Sequence, residues 1–273
     1  MENNIENNIE NNDDILNSFK ICLSIEDYKQ GIIYFEKIIA NKLILEYYFD
    51  DIILVNRLVK ITLKNFTQNL NNLIDLNKKK ENNEDYEIKV LNYFTNNCHN
   101  EILFYIQKLL NSTISIKNLI KVEGIEKSLY FKILAKLYKF LFLYDDYDKS
   151  FNLEKSLFNY QTSIKLIINC NKDNKNSSFE LNIYKYKIIF SYIKFVNFCL
   201  KDCFRSVLFC INTMEEIKNE IKNNIIEEEN YVDEDYNENL NIMLDKYQLF
   251  FDNNIDIYNR ILKIYYPEIK KYT

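Results

Sequence analysis

Apolar residues recur along this chain at intervals of three and four, the spacing that lines one face of an α-helix, and not at the interval of two that marks a half-buried strand. Nine helices are read from that pattern. Asp13 or Asp14 caps a first helix whose inward positions are Ile15, Phe19, Cys22 and Leu23. A second starts at Glu26-Asp27 and runs through Tyr28, Ile32, Phe35 and Ile39, a third opens near Asp50-Asp51 and reaches about Leu76, and a fourth spans Tyr86 to about Leu110. After a loop holding Gly124, the fifth helix ends at Asp145-Asp146. The sixth is expected from about Leu153 to Cys170, the seventh from Phe179 to Leu200, the eighth from an Asp202 cap to about Asn224, and the ninth from Glu238 to Phe251. Ile257, Ile261, Leu262 and Ile264 keep helical spacing in the tail, where Pro267 is expected to stop it.

The fifth helix stands apart from the rest. From Lys127 to Asp146 it is apolar almost all round, with Leu129, Phe131, Ile133, Leu134, Leu137, Phe140, Leu141 and Phe142, so neighbours must cover most of its circumference. Lys132, Lys136 and Lys139 stack in one stripe along it. The third helix carries a second stripe, Arg57, Lys60 and Lys64. Packed side by side, the two stripes would converge on a strongly anionic group such as a phosphate, for which Arg supplies a planar fork and Lys a point charge. The plainer alternative is two solvated helix faces.

Composition supports the helical reading. The chain has 273 residues, 47% hydrophobic, with 2 Gly and 1 Pro, which leaves almost nothing to punctuate hairpins or tight βα turns. The fold class expected is all-α. Residues 1–12 repeat ENNI with too little apolar surface to pack and read as a disordered leader; 13–252 read as one helical domain, and 253–273 as an amphipathic C-terminal tail.

A net charge of -5 argues against nucleic acid as a bulk electrostatic partner, so any anion site must be local. The six cysteines lack CxxC spacing and read as core residues. With no signal segment and no long apolar run, a soluble cytoplasmic protein without membrane partners is expected. His99 is the only histidine, in a polar NNCHN setting, which leaves no His-dependent triad or multi-His zinc site. Asp145-Asp146-Tyr147-Asp148 misses the DDxxD spacing of a magnesium diphosphate site and reads as a run that caps or closes a loop. Gly31 and Gly124 stand alone, so there is no glycine-rich phosphate cradle. No catalytic residue, metal or cofactor is expected.

The order of these elements resembles the 14-3-3 family over nearly all of Asp14 to Phe251. SLYFKILAKLYKFLFLYDD is similar to that family's fifth helix and the loop after it, SIEDYKQGIIYFEKI to its second helix, YEIKV to the start of its fourth, SLFNYQTSIKLI to its sixth and YNENLNIMLDKYQLFF to its ninth. The resemblance implies a nine-helix antiparallel bundle with a concave amphipathic groove, homodimers through the first, third and fourth helices, and phosphoserine or phosphothreonine peptides as ligands. It also implies where the phosphate is held. With one deletion before the third helix, the family's cation pair there falls on Arg57 and Lys64; without it, on Leu58 and Asn65. The Arg-Tyr pair of the fifth helix falls on Lys139 and Phe140, and the groove lysine before it on Lys132.

The expected phosphate ligands are therefore Arg57, Lys64 and Lys139, in a peptide groove with Lys60, Lys132, Lys136, Phe140, Lys246 and Phe250. Departures from the family accompany the matches. Phe140 lacks the phosphate-binding hydroxyl, and Lys139 offers a point charge where the family has a fork. Lys187 and Lys194, or else Phe190 and Asn197, take the places of an Asn and a Glu on the seventh helix. Lys246 replaces a clamping Asn, and Phe250 a Trp. At the expected dimer seam the basic member of one charge pair falls on Asp27, while Ile21, Ile25 and Tyr86 offer apolar surface. The function expected is a non-catalytic signalling adaptor for phosphorylated proteins. The alternative is a degenerate scaffold that no longer reads phosphate and acts by homo- or heterodimerisation or by binding helices, its own tail among them.

Overall fold

The structure, a computed structural model, describes residues 12–41, 48–78, 85–116, 124–173, 179–227 and 234–269. Over these residues the protein is all-α: α1 (Asn12–Ser24), α2 (Tyr28–Ala40), α3 (Tyr48–Lys78), α4 (Asp85–Ile116), α5 (Gly124–Tyr144), α6 (Lys149–Asp173), α7 (Phe179–Phe198), α8 (Cys203–Glu227) and α9 (Glu234–Ile269), with no strand among them. No described helix is long and apolar enough to cross a membrane. The ENNI leader up to residue 11, most of the NKKKENNED run and most of the acidic stretch between α8 and α9 lie outside the described residues.

The chain divides into two compact units, Met1–Asn159 and Tyr160–Thr273, with the boundary inside α6. In the first, α1, α2 and α3 pack on one another, and α3, α4 and α5 form a second contact group. Phe19 stacks on Phe35 with ring centroids 6.0 Å apart. Phe66 of α3 is the hub, lying 4.9 Å from Tyr28 and 6.4 Å from Phe140. Gly31 lies at a close approach: a Cβ there would stand 2.9 Å from Leu58 Cδ1 and 3.8 Å from Cys22 Cβ, so a side chain on α2 would have to push the Leu58 methyl aside. Ser156 Oγ donates to the Ala135 carbonyl at 2.9 Å and fixes the start of α6 on α5.

The second unit is built from the remainder of α6 with α7, α8 and α9, the last three in mutual contact. Its core gathers Tyr186, Ile193, Cys210, Ile217, Leu240, Met243 and Tyr247. All six cysteines are free.

Local chemistry explains the helix ends. Asp27 caps α2 by accepting from the Gln30 amide at 3.1 Å, and Asp202 caps α8 by accepting from the Arg205 amide at 2.9 Å. Gly124 opens α5 with φ 63°, a left-handed conformation that glycine adopts without strain. Asp145 accepts from the Tyr147 amide at 3.0 Å and Asp146 pairs with Lys149 at 2.6 Å, so this acidic run serves the α5–α6 turn. The largest difference from the sequence reading is α9, which has no break at Asn253 and runs on through Pro267 to Ile269. Asn254 sustains it, a buried polar residue whose amide donates to the Phe250 carbonyl at 2.7 Å.

Candidate anion-binding site

In the first unit α5 is buried along Ser128, Leu129, Tyr130, Lys132, Ile133, Leu134, Ala135, Leu137, Phe140 and Leu141, which is the near-complete covering its sequence calls for. Among its three lysines the environments differ. Lys132 is 5% exposed. Lys136 and Lys139 are half-buried. The Lys136 amine has a pKa pushed down to about 8, first by loss of surrounding water and then by repulsion from Lys60 of α3 and Lys139 of α5. Three cations from two helices thus share one region, with the most desolvated in the middle.

Among the described residues no carboxylate pairs with Lys136, unlike two other lysines whose charge is matched. Lys185 of α7, which is more deeply buried, is matched by Glu216 at 2.7 Å. Lys108 is matched by Glu36 at 3.2 Å. Among the described residues, no carboxylate forms an ion pair with Lys136 or Lys60. A partly desolvated ammonium without an acid raises the free energy of the folded state.

The sequence-derived ligand set is only partly brought together. Lys60, Lys136 and Lys139 gather, whereas Lys64 turns to Glu26 at the α1–α2 corner, with Nζ 3.0 Å from Oε2. Arg57 is exposed one turn before Lys60, on the same face of α3. Phe140 is 5% exposed and packs against Phe66 at 6.4 Å and Tyr144 at 4.4 Å, so it serves the core beneath the lysines. The pairing of Lys64 with Glu26 joins residues 38 apart in sequence, which no spacing rule reveals.

In the second unit, Phe250 is nearly buried and Lys246 is exposed. Phe190 lies 4.9 Å from Tyr247 and 6.2 Å from Phe250, and Lys194 Nζ sits 4.5 Å above the Phe190 ring. Asn197 donates to Asn254 Oδ1 at 2.9 Å. At the seam expected for a dimer, Ile21 and Ile25 are 59% and 67% exposed, and the Tyr86 side chain lies outside what is described. No group of three metal-ligating side chains is found among the described residues. Compared with known proteins, the chain matches no family model and no curated protein.

Proposed function

We propose that this protein is a non-catalytic adaptor, similar to 14-3-3 proteins, that binds phosphoserine or phosphothreonine segments of partner proteins through Lys60, Lys136 and Lys139. The observation that carries the reading is the convergence of these three amines around one desolvated lysine with no described acid pairing it. A phosphorylated side chain brings between one and a half and two negative charges at neutral pH, roughly the complement of such a cluster. The order of the nine described helices and the likeness of the α5 sequence to the 14-3-3 fifth helix support the same reading.

The proposed ligand set differs from the one the resemblance implies. Lys60 takes the role expected of Lys64, which is engaged with Glu26, and Arg57 is the flexible arm beside it. Because Phe140 offers no hydroxyl and lysines act as point charges, such a site would grip charge more than shape.

Titration calorimetry with a degenerate phosphoserine peptide library and its unphosphorylated counterpart tests the reading. The phosphorylated library is expected to bind, and Lys136→Gln and Lys139→Glu to abolish the signal. Equal heats for the two libraries would overturn it and favour a scaffold that has lost phosphate reading. That second reading is favoured by the ion pair at Lys64 and the buried phenyl ring at Phe140. Exposed Ile21 and Ile25 are the residues through which such a scaffold would dimerise, and light scattering of Ile21→Glu is the check.

A further inference from the structure

In the second unit α6 and α8 both rest on α7 through aromatic rings. The Tyr160 ring of α6 lies 6.0 Å from Tyr192 and 5.1 Å from Phe195, and Phe209 of α8 meets Tyr192 edge-on at 5.6 Å. Between them opens a cleft of about 410 Å³, inside the range of about 300–1,000 Å³ that ligand sites occupy. Tyr192, 4% exposed, forms its floor. Tyr160, Ser163 and Ile167 are the buried face of α6, which leaves Ile164 and Ile168, one turn apart, as the apolar wall on that side, with Phe209 as the wall on the other. Ile168 and Phe209 are each 39% exposed, an apolar mouth that the core of α7, α8 and α9 does not use. Lys165 is the one charged group among the lining residues, and among the described residues it forms no ion pair. Gln161 and Asn169 stand one turn before and after it on α6, so this lip offers two amides beside one ammonium.

We propose that this cleft binds a small organic anion with one charged head and an apolar body, the head held at Lys165 between the two amides and the body laid on Tyr192 between the walls. Charge sets the sign of the head, because an unpaired ammonium is the sole charge in the lining. Asymmetry sets the class: the polar groups lie along one lip while floor and walls are apolar. A ligand charged all round, such as a nucleotide, would strand its remaining charges against Tyr192, Ile164 and Ile168. Volume sets the size, since a single turn of helix, about 10 Å across, already takes up about as much space as the cleft holds, which favours a small molecule over a docked helix. The site shares no residue with the cluster of Lys60, Lys136 and Lys139 and does not depend on phosphate binding there.

Titration calorimetry on the full chain tests it with three ligands of similar alkyl length, octanoate, octanol and octyltrimethylammonium. Octanoate is expected to bind about fivefold more tightly than octanol, the factor that one exposed ion pair supplies, and the octyl cation not to bind. Lys165→Gln should bring octanoate down to the octanol value. Ile168→Asp, which sets a carboxylate on the wall, should abolish octanoate binding, and Lys136→Gln should leave it within twofold. Lys165 and Ile168 both face water, so unchanged melting curves are expected for their variants. A preference for octanoate over octanol below twofold, a Lys165→Gln variant that keeps the preference, or binding of the octyl cation as tight as that of octanoate would overturn the proposal. So would cosedimentation with phosphatidylglycerol vesicles that Lys165→Gln removes, since a bilayer would then be the occupant. Tighter binding of a peptide of Glu and Leu than of octanoate would do the same by assigning the cleft to a protein segment. Failure of phosphopeptides to bind the first unit would leave the octanoate preference unchanged.

Discussion

Lys136 concentrates the energetic tension of the first unit in one residue. Its pKa falls from 10.5 to about 8 through desolvation and the repulsion of Lys60 and Lys139, a penalty on the charged form of about 3 kcal/mol. The sign follows from which state holds the proton. Below pH 8 both folded and unfolded chains carry the charge and the folded state bears the full penalty. Between about 8 and 10.5 the unfolded chain keeps its proton while the folded chain releases it, so this residue destabilises less as pH rises. Lys136→Met should therefore stabilise the protein at pH 7, by up to about 3 kcal/mol in urea unfolding, and the gain should shrink at pH 9.5. Comparing wild type with variant at each pH cancels the buried thiols and phenols, such as Cys210, whose pKa burial pushes up to about 12. A gain that does not change between the two pH values would show that the amine is not desolvated. Lys139→Arg makes the complementary test, since a planar fork adds a second aligned bond to a phosphate and should tighten phosphopeptide binding about three- to tenfold by calorimetry.

At the scale of elements, close packing sets the main expectations. Gly31→Ala should gain about 1 kcal/mol of helix propensity and lose at least as much by driving a Cβ to within 2.9 Å of Leu58 Cδ1. In a Leu58→Ala background the obstruction is gone, so the same substitution should become stabilising; additive effects in that double-mutant cycle would mean that α2 and α3 do not meet there. The polar joint of the second unit gives another test. Asn197 donates to Asn254, Asn254 donates to the Phe250 carbonyl, and the single Ser206 hydroxyl proton lies within reach of the Cys203 carbonyl at 2.8 Å and of Asn197 Oδ1 at 3.3 Å. Asn254→Leu should cost about 1–3 kcal/mol by stranding the Asn197 amide, and should speed amide exchange in α9 after Phe250. The same residues mark the limits of sequence reading. Helix identity and starts were legible because Asp27 and Asp202 are capping residues before periodic runs. The extent of α9 was not, because Asn254 reads as loop chemistry until its buried partners are known. The two basic stripes were visible as periodicity in the chain, but which lysines meet depends on helix rotation, and a contact such as Lys64 with Glu26 leaves no local trace.

For the whole molecule, net charge and local charge act in opposite directions. The chain carries -5 overall, yet its cationic groups at Lys60, Lys136 and Lys139 are concentrated in one region of the first unit. At 0.15 M salt the Debye length is about 8 Å, so a single phosphorylated side chain responds to the lysines nearest it and little to the remaining surface. At 0.01 M the length grows to about 30 Å and the negative remainder of the molecule repels the approaching peptide. Attraction and repulsion are both screened as salt rises. Phosphopeptide affinity should therefore change less than about tenfold between these conditions, far from the steep salt dependence of a protein that neutralises many phosphates along DNA. A long polyanion gains only from the few phosphates that reach these lysines, while the net charge of -5 opposes the rest. Duplex DNA is accordingly expected to show no binding by anisotropy at 0.15 M salt under conditions where the phosphoserine library binds. DNA binding as tight as that of the phosphopeptides, with affinity falling a thousandfold or so over the same salt range, would mean that an extended basic surface, and not a three-lysine cluster, governs what this protein recognises.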